Sequence, residues 1–360
     1  MARLARRARA DGPRTARGAG PSPSPTGSSM SRYHVYGVGN ALVDLEFEIP
    51  EARLAELSVD KGLMTLIEED RHHELLAGLE GIEPTPCGGG SAANSMAAVA
   101  QLGGKAFYSC KVANDDTGRF FLDDLVANGT ETNLARDALE DGLTGKCIIL
   151  ITPDAERSMS TFLGITRRLS VAELDEAAIR DSAFVYLEGY PVTETDSRAA
   201  LVRTREIAAG AGIPVSLTLS DVNMVRYFRD GLLEIAGDSL DMLFANEDEA
   251  MLMTEAADID GCVAGMKRLS RRFAITRSAK PAVLFDGDAV TEVAPEAVTP
   301  VDSTGAGDVY AGAFLHGLTH GLPFARCGEL ANEAARALIL RVGARLTPDE
   351  MAAVARRVGL

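Results

Sequence analysis

The chain contains no tryptophan, and its five cysteines are widely separated, with no Cys-x-x-Cys pair and no cysteine–histidine cluster. This spacing argues against a disulfide framework and a structural zinc site, and it fits a protein of the reducing cytoplasm. No apolar run reaches the roughly 18–20 residues that a membrane-spanning helix needs, so we expect no membrane partner. The P-loop pattern GxxxxGK[ST] and the dinucleotide-binding pattern GxGxxG are also absent.

Positive charge is scarce outside the first 30 residues. The 360-residue chain has a formal net charge of −16, although its opening segment carries six arginines against the single acidic residue Asp11. An acidic body of this kind repels phosphate backbones, which argues against nucleic acid as a partner. An anionic ligand would therefore have to be recognised by a local arrangement of donors rather than by the overall field.

The opening segment differs in composition from the rest. Residues 1–30 are rich in Arg, Ala, Gly, Pro and Ser and show no apolar periodicity, which predicts a disordered extension. Met30 stands directly before the first predicted strand, so we favour a translation start there and a wrongly extended upstream sequence. A transit peptide and a basic tail for membrane or RNA contact are the alternatives.

Beyond Met30, apolar β-branched segments alternate with helical patterns. This rhythm predicts an α/β fold of three layers, with a central, mostly parallel sheet covered on both faces. One domain is expected over residues 31–350, with the segments at about 41–66 and 110–165 forming a small β-sheet lid. Strands are predicted at residues 33–38, 42–48, 63–66, 106–110, 147–152, 184–187, 214–219, 241–244 and 273–276, and helices at 68–77, 91–102 and from about 115 to 127.

The most informative stretch is Val301-Asp302-Ser303-Thr304-Gly305-Ala306-Gly307-Asp308, where a strand-like segment passes through small residues into a helical pattern. Gly305, Ala306 and Gly307 allow backbone N–H groups to converge at a helix N-terminus, which is an anion site. Asp308 then lies beside the anion. Amides that hold a transferring group and a carboxylate that takes a proton from an attacking hydroxyl are suited to phosphoryl transfer.

A second glycine-rich stretch runs from Gly88-Gly89-Gly90 into a small-residue helix that ends in Leu102-Gly103. The glycines permit close approach of the backbone to a ligand, and Asn94 on the first turn is expected to face the same space. Together, and in this order, the two stretches resemble the two signatures of the ribokinase (PfkB) family of carbohydrate and nucleoside kinases. The resemblance covers about residues 32–345.

Several further segments look closest to the adenosine kinase-like members of that family. In Gly39-Asn40-Ala41-Leu42-Val43-Asp44, the Asp44 carboxylate and Asn40 are candidates to bind adjacent hydroxyls of a sugar ring. The resemblance implies that Gly89, Gly90 and Asn94 also contact the substrate. It makes Phe162 and Tyr190 candidates to stack on a base, although both types of residue are often simply core.

The resemblance also implies a nucleotide side. Arg157 is expected to reach the transferring phosphate from the lid, or else to be an exposed hairpin charge. Asn246 and Glu249 resemble an Asn-x-x-Glu motif that positions ATP phosphates and hydrated Mg²⁺, although acidic residues also suit a first helical turn. Asp302 is expected to help a monovalent cation, K⁺, organise the turn. Thr276 and Asn332 are the remaining expected ATP contacts.

One segment departs from the family pattern. Ser278 and Pro281 stand where the family commonly has the two glycines of Thr-x-Gly-x-x-Gly. We therefore expect this turn to lack glycine-only backbone angles, which leaves the placement of ATP open.

Taken as a resemblance, these residues imply an ATP-dependent phosphotransferase that acts on the primary, 5′-type hydroxyl of a nucleoside, adenosine first, with Asp308 as general base. The alternatives are an inosine or guanosine kinase and a sugar kinase acting on ribose, fructose or 2-keto-3-deoxygluconate. A non-catalytic nucleoside-binding protein is disfavoured because Asp308 and its turn are intact. A monomer or a homodimer is expected.

Overall fold

The computed structural model describes residues 31–360 except Leu63, Ala155 and Ser239. The disordered extension and the start at Met30 expected for residues 1–30 lie outside the described residues. Residues Arg32–Leu360 form one compact unit. The domain end expected at residue 350 falls inside the last helix, whose Met351 and Val354 are buried in the core.

The described residues contain fourteen strands. They are β1 (Tyr33–Val38), β2 (Leu42–Glu48), β3 (Met64–Leu66), β4 (Thr85–Gly89), β5 (Ala106–Ser109), β6 (Thr130–Glu131), β7 (Thr144–Ile151), β8 (Arg157–Gly164), β9 (Ser182–Leu187), β10 (Val215–Thr218), β11 (Met242–Asn246), β12 (Phe273–Arg277), β13 (Lys280–Phe285) and β14 (Val290–Val293).

The same residues contain twelve α-helices. They are α1 (Glu51–Glu56), α2 (Glu69–Gly78), α3 (Ser91–Gln101), α4 (Asp116–Ala127), α5 (Glu176–Arg180), α6 (Thr195–Gly210), α7 (Val222–Ala236), α8 (Glu247–Thr254), α9 (Ile259–Leu269), α10 (Ala306–Thr319), α11 (Phe324–Ile339) and α12 (Pro348–Arg357). Among the described helices, none is both long and apolar enough to cross a membrane.

Nine strands form the main sheet in the order β14-β13-β12-β11-β10-β9-β1-β5-β6. The strands from β12 to β6 run parallel to their neighbours, and β13 and β14 add an antiparallel edge. Buried side chains alternate between the two faces, as pleating requires: Phe184 and Tyr186 of β9 join one core, and Val185 and Leu187 join the other. Helices α3 and α10–α12 cover the first face and α5–α9 the second. The predicted three-layer α/β architecture is confirmed.

The remaining five strands form a second, small sheet in the order β3-β8-β7-β2-β4. We call this sheet the lid. Its outer face carries a separate core of apolar side chains from β2, β7, α1 and α2. The lid differs from the expected segments in two ways. It includes β4, which contains the first two residues of the triple glycine, and residues 110–143 contribute α4 and β6 instead of lid strands.

The omission of β4 from the sequence prediction has a physical reason. The segment Thr85-Pro86-Cys87-Gly88-Gly89 has a proline and two glycines, which have low strand propensity. It can still be a strand because it pairs with β2 at the edge of the lid, where a proline is tolerated.

Candidate active site

Two adjoining cavities lie beyond the carboxyl ends of the parallel strands, where α/β sheets bind their ligands. The first has a volume of about 480 Å³ and lies between the main sheet and the lid. The second has about 370 Å³ and lies between the β12–β13 turn and α11. Residues that line both cavities are Asn246, Thr276, Ser303, Ala306, Gly307 and Tyr310.

The turn before α10 separates the two cavities. Gly305 has φ = +74°, a left-handed conformation that a side chain would disfavour, and it is the residue from which α10 begins. The amide of Ala306 donates to Ser303 O at 3.2 Å, whereas an α-helix leaves its next first-turn amides without an intrahelical acceptor. A Cβ added to Gly307 would meet nothing within 4 Å. The small residues of the turn therefore expose backbone donors to open space.

Asp308 lies on this first turn and faces the first cavity. Its Oδ1 accepts a hydrogen bond from Ser91 Oγ at 2.6 Å, and its Oδ2 accepts one from Asn94 Nδ2 at 2.9 Å. Burial raises the pKa of Asp308, while these two hydrogen bonds and the positive charge of Arg345 oppose that rise. Each carboxylate oxygen can accept more than one hydrogen bond, so both retain capacity for a ligand proton.

Asn94 is placed differently from the expectation. Its side chain is buried and does not line either cavity, because Nδ2 donates to Asp308 and Oδ1 accepts from Arg345 Nε at 2.7 Å. The contact to substrate expected for Asn94 stays a prediction. In this structure the residue supports the carboxylate of Asp308.

Asp44 is held at the wall of the first cavity by the lid. It lies on β2, opposite β4, and a Cβ added to Gly89 would lie only 2.5 Å from Asp44 Oδ1. Gly89 does not line the cavity, but its lack of a side chain leaves space for the Asp44 carboxylate. Gly90 lines the cavity itself. Burial raises the pKa of Asp44 to about 7.

Asn40 and Glu188 lie beside Asp44 on the floor of the same cavity. Glu188, which the sequence interpretation did not select, follows β9 and is 1% exposed. Its Oε2 accepts a hydrogen bond from the amide of Ala92 at 2.9 Å, at the start of α3. Burial raises the pKa of Glu188 to about 8, while the hydrogen bond from the amide of Ala92 opposes that rise.

The lid contributes an apolar wall to the first cavity. Its inward side chains include Leu42, Met64, Leu66, Ile149, Met159 and Leu163. Phe162, predicted to stack on a base, faces the other way: its ring packs on His72 of α2 with centroids 4.9 Å apart. Alternation along β8 gives the reason, since Thr161 and Leu163 line the cavity. Tyr190 does line it, as expected.

Asn246 and Glu249 form a reciprocal capping box at the start of α8. The amide of Glu249 donates to Asn246 Oδ1 at 2.8 Å, and the amide of Asn246 donates to Glu249 Oε2 at 3.0 Å. Both residues also line the first cavity, and burial raises the pKa of Glu249 to about 7. The helix-capping role that the sequence left open is therefore present, at a position that also faces the cavity.

The second cavity is lined by the remaining two residues that were expected to contact ATP. Thr276 and Asn332 both line it, and Asn332 Nδ2 donates to Val293 O at 3.1 Å. In the β12–β13 turn, Ser278 has φ = +52°, a left-handed conformation that favours glycine but is not restricted to it, so the expectation that the turn lacks glycine-only angles is not contradicted. Such a conformation costs a non-glycine residue about 1–2 kcal/mol but is accessible to it.

Arg157 and Asp302 form an ion pair next to the site. Arg157 Nη2 lies 3.0 Å from Asp302 Oδ2, and Nη1 lies 3.1 Å from Glu46 Oε1. The Asp302 carboxylate also accepts hydrogen bonds from the amides of Thr304 at 2.9 Å and Gly343 at 2.8 Å. Neither residue lines a cavity, and the phosphate contact expected for Arg157 stays a prediction. The alternative of an exposed hairpin charge is wrong, because the side chain is 8% exposed. The cation role expected for Asp302 gains no support from this geometry.

Residues 62–351 match the family described as pfkB family carbohydrate kinase. The chain belongs to this family. A crystal structure of adenosine kinase from Sinorhizobium meliloti has a TM-score of 0.82 to it at 33% identity, covering 91% of this chain and 100% of that one. Adenosine kinase of Dictyostelium discoideum is 26% identical over 345 residues, covering 89% of this chain and 98% of that protein. ATP-dependent ribose-1-phosphate kinase of Halopiger xanaduensis is 30% identical over 277 residues, covering 74% and 86%.

Membership in this family makes the chain a phosphotransferase that uses ATP and an alcohol group as acceptor. The turn before α10 of this PfkB kinase is suited to bind ATP. Gly307 lines both cavities and has open space where a side chain would be, and the exposed amides of the turn are donors suited to phosphate oxygens.

Few residues of this PfkB kinase are suited to hold Mg²⁺. The described part of the chain contains no group of three or more His, Cys, Asp or Glu side chains that could hold a metal. Asn246 and Glu249 are suited to hydrated Mg²⁺ that is also held by nucleotide phosphates, because Mg²⁺ in kinase sites usually keeps several waters.

The sequence interpretation missed three side chains that belong to the site of this PfkB kinase: Ser91, Glu188 and Arg345. Ser91 had a usable signal, because it precedes Asn94 by three residues and therefore shares its helix face. Glu188 and Arg345 had none, since an acid after a strand and an arginine before a helix are ordinary surface patterns.

Proposed function

We propose that this kinase transfers the γ-phosphoryl group of ATP to the primary 5′ hydroxyl of a nucleoside, with adenosine as the first candidate and Asp308 as general base. One observation carries the proposal. The Asp308 carboxylate faces the first cavity, and Ala306 and Gly307 of the same turn line both cavities, so acceptor and donor can approach each other from opposite sides.

The first cavity suits a nucleoside better than a free sugar. Its lining includes polar groups, among them Asp44, Asn40 and Glu188, that can exchange hydrogen bonds with ribose hydroxyls. It also includes apolar lid side chains such as Met64, Ile149 and Met159, and Tyr190. A planar base would contact these apolar side chains, whereas a free pentose has no apolar group to place against them.

The proposed reaction needs one proton transfer and one displacement at phosphorus. Asp308 accepts the proton of the 5′ hydroxyl, and the hydroxyl oxygen forms a bond to the γ-phosphorus. The bond from that phosphorus to the bridging oxygen of ADP breaks, and ADP leaves with the electron pair. The amides of the turn that have no acceptor among the described residues, those of Gly305, Gly307 and Asp308, stabilise the charge on the three equatorial oxygens. Closure of the lid excludes water, which limits hydrolysis of ATP.

Asn246 and Glu249 would hold hydrated Mg²⁺ through water and the phosphates of ATP. When bound, Mg²⁺ supplies positive charge that offsets the charge of the phosphates. Thr276 lines both cavities and can donate a hydrogen bond to a phosphate, while Asn332 lines only the second cavity, where the adenine of ATP would bind.

The test is ADP formation by the full-length protein with ATP and Mg²⁺. The acceptors are adenosine, inosine, guanosine, ribose, fructose and ribose 1-phosphate, and Asp308→Asn is the control variant. We expect the highest kcat/KM with adenosine. We expect Asp308→Asn to lower kcat by about 10²- to 10⁴-fold, the usual contribution of a general base, while calorimetry still detects adenosine binding.

Two results would contradict the proposal in different ways. Preference for a free sugar or for ribose 1-phosphate would overturn the nucleoside assignment and leave the role of Asp308 intact. Turnover of Asp308→Asn at the wild-type rate would overturn the general base.

A further inference from the structure

A row of polar side chains runs behind Asp308, on the side away from both cavities. Asn94 Nδ2 donates to Asp308 Oδ2 at 2.9 Å, and Arg345 Nε donates to Asn94 Oδ1 at 2.7 Å. Arg345 Nη1 in turn pairs with Asp124 Oδ2. The four residues come from α10, α3, the segment before α12, and α4, so the row connects parts of the chain that are far apart in sequence.

The hydrogen bond from Arg345 determines which way the Asn94 amide points. A guanidinium has donors only, so it must meet the amide oxygen, and this places the Nδ2 donor against the Asp308 carboxylate. The reversed amide would set its oxygen against the carboxylate and its NH₂ against the guanidinium. Arg345 therefore gives Asn94 a single favourable orientation.

The position of Arg345 is itself closely defined. A Cβ added to Gly88 would lie 1.9 Å from Asp124 Oδ2 and 2.7 Å from Arg345 Nη1, so the backbone of β4 lies directly against the ion pair. The first glycine of the triple glycine thus makes room for this pair. The arginine side chain is only 7% exposed.

Stability alone does not explain this arginine. Arg345 Nη2 is buried and has no hydrogen-bond partner among the described residues. A buried cation with an unpaired nitrogen carries a desolvation cost that its ion pair does not fully offset. Such a cost is commonly retained where a charge serves a functional site.

We propose that Arg345 is a positioning residue for phosphoryl transfer, which acts through Asn94 to hold the Asp308 carboxylate in the orientation that accepts the hydroxyl proton. The proposal rests on the general-base role given to Asp308 above.

Arg345 also acts on Asp308 by its charge. The carboxyl groups of Asp44 on β2 and of Glu188 after β9 interact electrostatically with Asp308, and the phenol of Tyr186 on β9 lies in the same charge environment. The positive charge of Arg345 opposes the rise that burial causes in the pKa of Asp308. Orientation and charge are thus two separable effects of the same side chain.

The test is a double-mutant cycle on kcat with Arg345→Met, Asn94→Ala and the pair together, using the acceptor that the wild-type protein prefers. We expect each single variant to lower kcat by about 10- to 100-fold, the range typical of outer-shell partners. We expect the double variant to be no slower than the slower single variant, because both remove one and the same effect. The KM for ATP is expected to stay near the wild-type value.

Arg345→Lys separates orientation from charge and also covers the case in which Arg345→Met does not fold. It keeps the positive charge but lacks Nε, so we expect the low kcat of Arg345→Met without its change in pH dependence. In Arg345→Met the acidic limb of the kcat/KM profile is expected to move up by about one pH unit, since Asp308 loses its cationic neighbour. Arg341→Met, which removes a half-exposed arginine of the same segment, is the matched control and should leave kcat unchanged.

Multiplicative losses in the double variant would overturn the proposal, because Arg345 would then act independently of Asn94. Wild-type kcat in Arg345→Lys would overturn it as well, because charge alone would suffice. Asp308→Asn is measured alongside. If that variant retains full turnover, the general-base role fails; if it is inactive and the cycle is additive, the positioning role alone fails.

Discussion

Arg157 of the lid pairs with Asp302 of the loop that leads into the turn before α10, with Nη2 and Oδ2 3.0 Å apart. The two side chains are 8% and 3% exposed, and the pair connects strand β8 to the residues just before Gly305. In this structure the pair holds the lid side of the first cavity to the turn that separates the two cavities.

Arg157→Met is expected to destabilise the protein by about 3 kcal/mol, because it leaves the buried carboxylate of Asp302 without its cation. Urea unfolding measures this change. The double variant with Asp302→Asn should recover part of the loss, since the uncompensated charge is then gone. Arg203→Met removes an arginine that is 45% exposed in its ion pairs, and its effect should stay within about 0.5 kcal/mol. Equal stability of the two arginine variants would show that the Arg157 pair does not contribute.

Gly307→Ala is expected to separate stability from nucleotide binding. The added methyl group meets no protein atom within 4 Å, so the free energy of unfolding should stay the same or rise slightly. The methyl would occupy the space in front of the exposed amides, and we expect the KM for ATP to rise by about tenfold or more, equivalent to about 1.4 kcal/mol. Gly210→Ala at the end of α6, which also meets nothing within 4 Å, is the control for both measurements. An unchanged KM for ATP would place the phosphates elsewhere.

Phe162 and Leu163 are neighbours on β8 with opposite expected effects. Phe162→Ala should cost about 3–5 kcal/mol of stability, because it empties the space beside His72, and it should leave the KM for the nucleoside unchanged. Leu163→Ala should raise that KM with a smaller loss of stability, because Leu163 lines the cavity. Unfolding curves and initial rates on the two variants decide the matter. The reverse pattern would mean that Phe162 turns inward when the acceptor binds.

Asp44 should make stability depend on pH. Because its folded pKa is about 7, the folded protein keeps a proton there that the unfolded chain releases near pH 4. Between these values the folded state binds more protons than the unfolded state, so this group lowers the free energy of unfolding as the pH rises from 4 to 7.

Asp44→Asn removes this pH-dependent loss of stability. The free energy of unfolding of the variant should therefore rise relative to that of the wild-type protein as the pH rises, by a few kcal/mol above pH 7. Its KM for the nucleoside should rise at the same time. Urea unfolding between pH 4 and 8 gives the comparison, with the exposed Asp137→Asn as control. A stability difference that does not change with pH would mean that Asp44 is already ionised in the folded protein.

The sequence allowed the architecture and the turn before α10 to be predicted because both depend on local chemistry. Alternating apolar strands and helical patterns identify an α/β fold, and small residues before an N-terminal aspartate identify the turn at 305–308 wherever the rest of the chain lies. The edge strands were harder to recognise. The residues of strand β4 have very low strand propensity, and the strand forms because it pairs with β2.

Only the tertiary structure decided which side chains meet at the site. Ser91 and Asp308 are 217 residues apart in sequence, and Asn94 and Arg345 are 251 residues apart. No local pattern reports such a contact. The side of the lid on which the Phe162 ring lies, and the ion pair of Arg157 with Asp302, likewise depend on the register and position of the lid strands. By itself, the sequence determined the fold, the turn and its aspartate, since periodicity and turn chemistry act over a few residues. The partners of that aspartate were decided by packing, because packing brings together segments that the chain keeps apart.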